Sequence, residues 1–424
     1  MALQDFKIHM ERCSRCSYCK WVPHMKMIDR KFATVCPSIA NYNFHGWSAG
    51  GRMIAGLSLL RGRIGYSDTL LDMIYQCQMD GGCDVSCKNQ MDLEPLETML
   101  ELRAKCVEDG HFIGGHIPVI NSLKAEDNTM QSPKGERGKW AEGLDVKNLT
   151  KDRAQVVYHA GCRLSFDREL GHVARAAVNL LTGAGVDVGI MGKEEVCCGG
   201  RTYEWGYKRE LANYAERNAK AWKTAGVRTV VTSCSHCYQT FKVLHNKIGK
   251  KLSIEVFHIT EFLALLIKEK KLKPTKELPM AVTYHDPCHL GRLAEPWIYW
   301  NGVEKKVMGQ LIVQDPPKEF RRGANGVYDV PRDVLTSIPG LKLVEMPRIR
   351  EYAWCCGAGG GVKEAYPEFA MWTGKERIKE AETTGAEAVV TACPMCQRNL
   401  LDVTTEMGAR TKVYDIVELL QQAV

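Results

Sequence analysis

Val230-Val-Thr-Ser-Cys234-Ser-His-Cys237 and Val389-Val-Thr-Ala-Cys393-Pro-Met-Cys396 are one stretch written twice, a β-branched run that ends in Cys-x-x-Cys. Upstream of each stands an adjacent pair and a glycine, Cys197-Cys198-Gly199 and Cys355-Cys356-Gly357, separated from the Cys-x-x-Cys by 35 and 36 residues. Further upstream is a single cysteine, Cys162 behind Val156-Val-Tyr-His159 and Cys288 behind Val282-Thr-Tyr-His285. Downstream, Val256-Phe-His-Ile-Thr-Glu261 is echoed by Val413-Tyr-Asp-Ile-Val-Glu418. Agreement in order and spacing over so long a span marks a duplicated domain.

Between the cysteine groups, short β-branched runs alternate with helical periodicity. Leu170, Val173, Ala177, Leu180 and Leu181 recur at helical spacing within 168–181. A strand near Val186–Ile190, a helix over 208–222 and a strand at 229–232 follow. This βαβ series predicts a parallel sheet in each copy, and ligands of such sheets gather outside the carboxyl ends of the strands. Every cysteine group follows a predicted strand, so residues distant in sequence are expected to converge on one edge.

Five thiols per copy exceed the four that close a tetrahedral zinc site. Adjacent cysteines bridge each other poorly, since disulfide geometry wants a wider Cα separation than neighbours in a chain have. A multinuclear iron-sulfur centre on Cys162, Cys197, Cys198, Cys234 and Cys237, and another on Cys288, Cys355, Cys356, Cys393 and Cys396, accounts for all ten. Zinc in one of the two copies is the alternative. Gly199, Gly200 and Gly357 would let backbone approach a bulky inorganic core. His159, His285 and Arg292 are candidate catalytic neighbours, with a structural role at the strand end as the plainer reading for the histidines. Arg163, Lys193, Arg201 and Arg292 are expected to be solvated charges near the loops.

The other eight cysteines lie between residues 13 and 106. Cys13-x-x-Cys16-x-x-Cys19 opens like a bacterial ferredoxin motif, whose fourth cysteine serves the other cluster. Position 23 is Pro, and the next Cys-Pro is Cys36-Pro37. A second motif reads Cys77, Asp80, Cys83, Cys87, with Asp in place of the second cysteine. Crossing the fourth ligands gives one [4Fe-4S] cubane on Cys13, Cys16, Cys19 and Cys87. A second cluster, [4Fe-4S] or [3Fe-4S], falls to Cys36, Cys77, Cys83 and Asp80, with a cubane that recruits Cys106 as the alternative, unless Asp80 is a turn residue before Gly81-Gly82. Cys106 reads as a buried structural thiol.

At 424 residues the chain can bury several cores. Eighteen cysteines at metal-ligand spacings beside 17 methionines fit a reducing cytoplasm. The start, Met1-Ala-Leu-Gln-Asp-Phe-Lys-Ile-His-Met10, lacks a secretory pattern. Met53–Leu60 is too short to span a bilayer, so attachment to the inner face of a membrane would need a partner. A net charge of +7, interspersed with acids, gives no nucleic-acid stripe. Residues 1–106 read as a ferredoxin-like domain, 107–154 as a polar linker, 155–272 and 273–424 as the two copies. The step from Cys288 to Cys355 is 67 residues against 35 from Cys162 to Cys197, which places an insertion at about 293–330, a lid, a docking surface or a decorative subdomain.

Taken together, Cys13–Cys87, the paired five-cysteine sets, and Tyr284-His-Asp-Pro-Cys-His-Leu-Gly-Arg292 with Cys355-Cys-Gly-Ala-Gly-Gly360 resemble the heterodisulfide reductase D-subunit family over nearly the whole chain. The resemblance implies a mostly helical two-cluster ferredoxin-like domain followed by two duplicated Rossmann-like α/β CCG domains. It implies a noncubane [4Fe-4S] centre in each, facing a small disulfide, thiol or CoA-type substrate. It also implies other subunits of a redox complex, a flavoprotein or a cytochrome, in an anaerobe. The same architecture serves as a relay to quinone, ferredoxin or a CoA-ester reductase, which is the second functional expectation.

Overall fold

The computed structural model describes residues 1–424. The first repeat forms a five-stranded sheet from β1 (Lys147–Asn148), β2 (Val156–Tyr158), β3 (Val188–Ile190), β4 (Thr229–Thr232) and β5 (Glu255–His258), in the order β1-β3-β2-β4-β5. Every pair is parallel, with Val157 opposite Val230 and Val230 opposite Val256. Helices cover both faces, so the central strands read as continuous apolar runs rather than alternating ones.

The second repeat begins with β6 (Ala281–His285). It is interrupted by an antiparallel hairpin of β7 (Val303–Val307) and β8 (Leu311–Asp315), and resumes with β9 (Lys342–Leu343), β10 (Ala388–Thr391) and β11 (Lys412–Asp415). Its sheet order, β9-β6-β10-β11, is that of the first copy without β1. The architecture is therefore mixed α/β with two parallel sheets.

The repeated tails have a local cause. Asp415 caps helix Ile416–Ala423 by accepting the Val417 N–H at 2.9 Å, and Glu418 reaches back to the Asp415 N–H. His258 and Glu261 build the same capping box for Ile259–Lys268. These two helices, with Gly171–Gly183 and Asp329–Thr336, pack against one another between the sheets. Val173, Leu181, Leu263, Val334, Leu335 and Leu420 belong to that shared core.

Residues 1–108 are mostly helical, with helices Ala49–Leu60, Asp68–Tyr75, Gly82–Cys87 and Pro95–Glu108 around Met53, Ile74, Leu102 and Cys106. Segment 107–154, read as a linker, carries helix Ile117–Glu126 and the edge strand β1. It also inserts the fully buried Arg137 beside the first cysteine set. No helix is long and apolar enough to cross a membrane.

Candidate metal centres and the crevice between them

All ten thiols of the paired sets lie where the parallel strands end. Cys162 follows β2, Cys197 and Cys198 follow β3, and Cys234 and Cys237 flank the start of the helix after β4. Cys288 follows β6, Cys355 and Cys356 lie in the loop after β9, and Cys393 and Cys396 open the helix after β10. Within each set the sulfurs lie within hydrogen-bonding reach of one another, in the order Cys162, Cys197, Cys198, Cys237, Cys234. Cys234 then touches Cys393 of the other set, and the run continues through Cys396, Cys356 and Cys355 to Cys288. The duplication thus brings two sulfur sites together at one seam.

Gly199 and Gly357 take left-handed backbone, φ 82° and 100°, which returns their N–H groups to Cys197 Sγ at 3.4 Å and Cys355 Sγ at 3.3 Å. A side chain at Gly357 would meet the Ala370 carbonyl oxygen at 2.2 Å, so only glycine fits there. Gly200 is glycine because Thr240 packs on it, 1.9 Å from where a Cβ would be.

His159 is buried with both ring nitrogens free of hydrogen bonds, edge-on to Phe241 and Trp222, and burial holds it neutral. His285 accepts from Arg377 Nε at 3.0 Å, and it forms a cluster with Cys356 and Cys396 whose ligand atoms lie within 4.8 Å. Two of the arginines expected to be solvated are not. Arg201 and Arg292 are buried, each meeting carboxylates and polar oxygens of other segments. Lys193 is exposed and Arg163 half-buried.

A crevice beside the seam is lined by Cys288, Cys356, Cys393 and Cys396 with Arg201, His236 and His289. The imidazoles of His236 and His289 stack with centroids 4.0 Å apart. His289 Nε2 lies 2.6 Å from Glu204 Oε1, and its Nδ1 lies 3.2 Å from Cys288 Sγ. Burial resists charge on His289, but Glu204 outweighs it and the net affinity for a proton is raised. Sequence reasoning missed this trio. Its signal lay in departures between the copies, His289 where the first has Arg163 and His236 where the second has Met395.

In the N-terminal region Cys13, Cys16, Cys19 and Cys87 line one small cavity with His45 and Gly50. Cys36, Cys77 and Cys83 lie near one another, since, after burial, Cys36 and Cys77 both raise the Cys83 thiol and Cys77 raises that of Cys36, with a smaller contribution from Asp80. Cys106 lies apart from both groups, in the apolar core beside Tyr75. Burial pushes the thiols of Cys36 and Cys87 up to about 12, and neither Arg52 nor Lys88 offsets it. Thiolates in such places require a local cation stronger than a side chain. Clustered buried thiols of this kind fit iron-sulfur clusters.

The pattern of the cysteine-rich domain family, CCG, matches residues 156–242 and 319–401. The chain is 33% identical over 361 residues to the D-subunit of dihydromethanophenazine:CoB–CoM heterodisulfide reductase from Methanosarcina mazei, covering 83% of this chain and 78% of the relative. It is 30% identical to EtfAB:quinone oxidoreductase of Syntrophomonas wolfei, over 83% of this chain and 47% of that one. A crystal structure of a hypothetical protein from Helicobacter pylori shares the fold at a TM-score of 0.51 with 10% identity, covering 89% of this chain and 67% of that one. An identity of this size over most of both chains, on a backbone that twice gathers five cysteines at a sheet edge, places the chain in the heterodisulfide reductase D-subunit family, as an iron-sulfur component of an oxidoreductase.

Proposed function

We propose that the chain acts on the sulfur atoms of a small disulfide or thiol held in the crevice between its paired domains. Residues 155–272 and 273–424 are two Rossmann-like domains, each holding a noncubane [4Fe-4S] cluster on its five cysteines. Residues 1–106 are a ferredoxin-like domain joined through 107–154. Cys13, Cys16, Cys19 and Cys87 hold a [4Fe-4S] cubane there, and Cys36, Cys77 and Cys83 hold a second cluster. When bound, these groups supply one-electron transfer, two of them side by side for the two sulfurs of a disulfide.

The observation that carries this reading is the unbroken run of thiols across the seam, ending in the crevice. A pure relay needs no such pairing of complete five-thiol sets. The protein's own groups do the rest. Arg201 presents positive charge on the crevice wall, and Glu204 orients His289 so that Nδ1 faces Cys288 Sγ. Met395, Pro287 and Ala358 narrow the space left for water.

A second reading rests on the similarity to EtfAB:quinone oxidoreductase, in which the chain relays electrons between a flavoprotein partner and a quinone or CoA-ester reductase without a small substrate of its own. Iron and sulfide analysis with EPR of anaerobically purified protein, with and without thiols and disulfides, tests both. About fifteen to sixteen irons per chain and a thiol-dependent paramagnetic signal support disulfide chemistry. The same iron with no response to any thiol favours the relay. Iron near eight with zinc present overturns both noncubane sites.

A further inference from the structure

Asp80 occupies the position where a ferredoxin motif carries its second cysteine, yet its carboxylate is committed elsewhere. Oδ1 accepts the Gly82 N–H at 3.0 Å, and Oδ2, which accepts no hydrogen bond, is ion-paired with Arg292 Nη2 at 3.3 Å. Arg292 Nε donates to the Asp80 main-chain oxygen at 2.5 Å, and its Nη1 donates to Ala353 O at 2.7 Å and Glu351 O at 3.0 Å. One buried guanidinium therefore ties Asp80 to the segment that leads directly into Cys355.

The backbone around Asp80 has little freedom to turn the carboxylate away. Gly81 is left-handed, φ 77°, and packs so closely on Leu293 that a Cβ would lie 2.7 Å from a leucine methyl. The main chain at Cys77 and Gln78 is clamped from the other side, where Arg103 donates to Cys77 O at 2.8 Å and to Gly360 O at 2.7 Å. Releasing Asp80 would leave Arg292 buried and unpaired, a strongly unfavourable outcome by general experience with buried ion pairs. A carboxylate is in any case a harder ligand than iron in a cluster prefers.

We infer that Asp80 is the counter-ion of Arg292 and not an iron ligand, so that the second ferredoxin-type site is a three-cysteine site, Cys36, Cys77 and Cys83, holding a three-iron cluster. The inference rests on the proposed iron-sulfur loading of residues 1–106 and deepens it. The aspartate has exchanged a cluster corner for a staple between the ferredoxin-like region and the loop that bears Cys355.

The test is EPR and Mössbauer spectroscopy with iron counting on the full chain, purified anaerobically and then incubated with ferrous iron and reductant. Wild type and Asp80→Asn are expected to show the paramagnetic signal of an oxidised three-iron centre, near one spin per chain, that the reductant removes and that returns in full when the sample is reoxidised after the incubation. Asp80→Cys is expected to lose that signal, gain about one iron and show a cubane signal on reduction. A cubane at this site in the wild type overturns the assignment, and its conversion to a three-iron centre by Asp80→Asn would identify Asp80 as a ligand. The thiol-dependent signal of the paired sets is read in the same samples. Its absence beside an intact three-iron signal counts against the proposed function alone.

Discussion

Cys234 and Cys393, the leading cysteines of the two Cys-x-x-Cys motifs, meet side chain to side chain across the seam between the repeats. The neighbouring main chains are tied there as well, with Ser235 Oγ donating to Ala392 O at 2.6 Å. The seam thus joins the carboxyl edges of the two sheets at the point where each presents its thiols, which is how one duplication yields one two-part site.

Replacing a thiol at that junction should cost a whole centre, not one bond. Cys393→Ser is expected to lose about four irons per chain together with the thiol-dependent signal, while the N-terminal cluster signals persist. Cys106→Ala, which removes a thiol buried in apolar surroundings, should keep all the iron and lower stability by about 1 kcal/mol. Iron analysis and EPR of the two variants side by side check this. Equal iron loss in both would reassign Cys106.

Arg103 is the other buried staple. Besides Cys77 O and Gly360 O it donates to Glu204 O, Ile74 O and Tyr75 O, at 2.7 to 3.2 Å, and so binds three parts of the chain with one side chain. Arg103→Met should destabilise by about 3–5 kcal/mol, because five carbonyl groups lose the guanidinium and only Tyr75 O keeps another donor, the Cys77 N–H. Arg103→Lys should recover little, since an ammonium lacks the planar fork that spans the two sides. Urea unfolding under anaerobic conditions measures both.

What was legible in the sequence follows from physical periodicity. Strands β2 and β4 and the helix beginning at Lys208 lie where β-branched runs and helical spacing put them, since burial against a local partner fixed each pattern. Long-range pairing left no such trace. Nothing near Arg292 or Arg201 announces a carboxylate or polar oxygen that arrives from another domain. Nor does the polar composition of 107–154 reveal that Lys147 and Asn148 extend a sheet and that Arg137 sits beside Cys162. The Glu204, His236 and His289 trio draws its members from both repeats, and only the comparison of one copy with the other hints at it.

The helix layer between the sheets carries a pH-dependent contact. His172 Nε2 pairs with Glu418 Oε1 at 2.7 Å, and that hydrogen bond raises the imidazole above its ordinary value. A histidine raised in the folded state adds stability that is fully present below its unfolded value near 6.5 and is lost as pH rises through the folded one. With His172 about half exposed, solvent screening limits the effect to about 0.2–1 kcal/mol. Wild type should therefore show a small fall in urea midpoint between pH 6 and 8, roughly, that His172→Gln lacks. Identical pH profiles would exclude a contribution from this pair.

The insertion divides into two parts of opposite consequence. The hairpin of β7 and β8 stands clear of the body with Leu311 62% exposed, and its polar tie to the rest is the Arg12–Glu304 ion pair. Exposed ion pairs contribute little. Replacing residues 302–316 with a short Gly-Ser linker should leave iron content unchanged and shift stability by about 1 kcal/mol or less. The irregular segments on either side of the hairpin are different. Arg321 is buried between Asp84 and Glu97, at 2.9 and 3.1 Å, and Trp297 packs on Phe6 with ring centroids 5.7 Å apart. Arg321→Met strands the buried Asp84 and leaves Glu97 with Lys247 alone, at the helices that frame Cys87, and should cost about 3–5 kcal/mol and lower occupancy of the Cys13, Cys16, Cys19, Cys87 site. Thermal unfolding with iron counting separates the two. If deletion of the hairpin proves as damaging as Arg321→Met, the exposed strands are bearing on the core in a way their contacts do not account for.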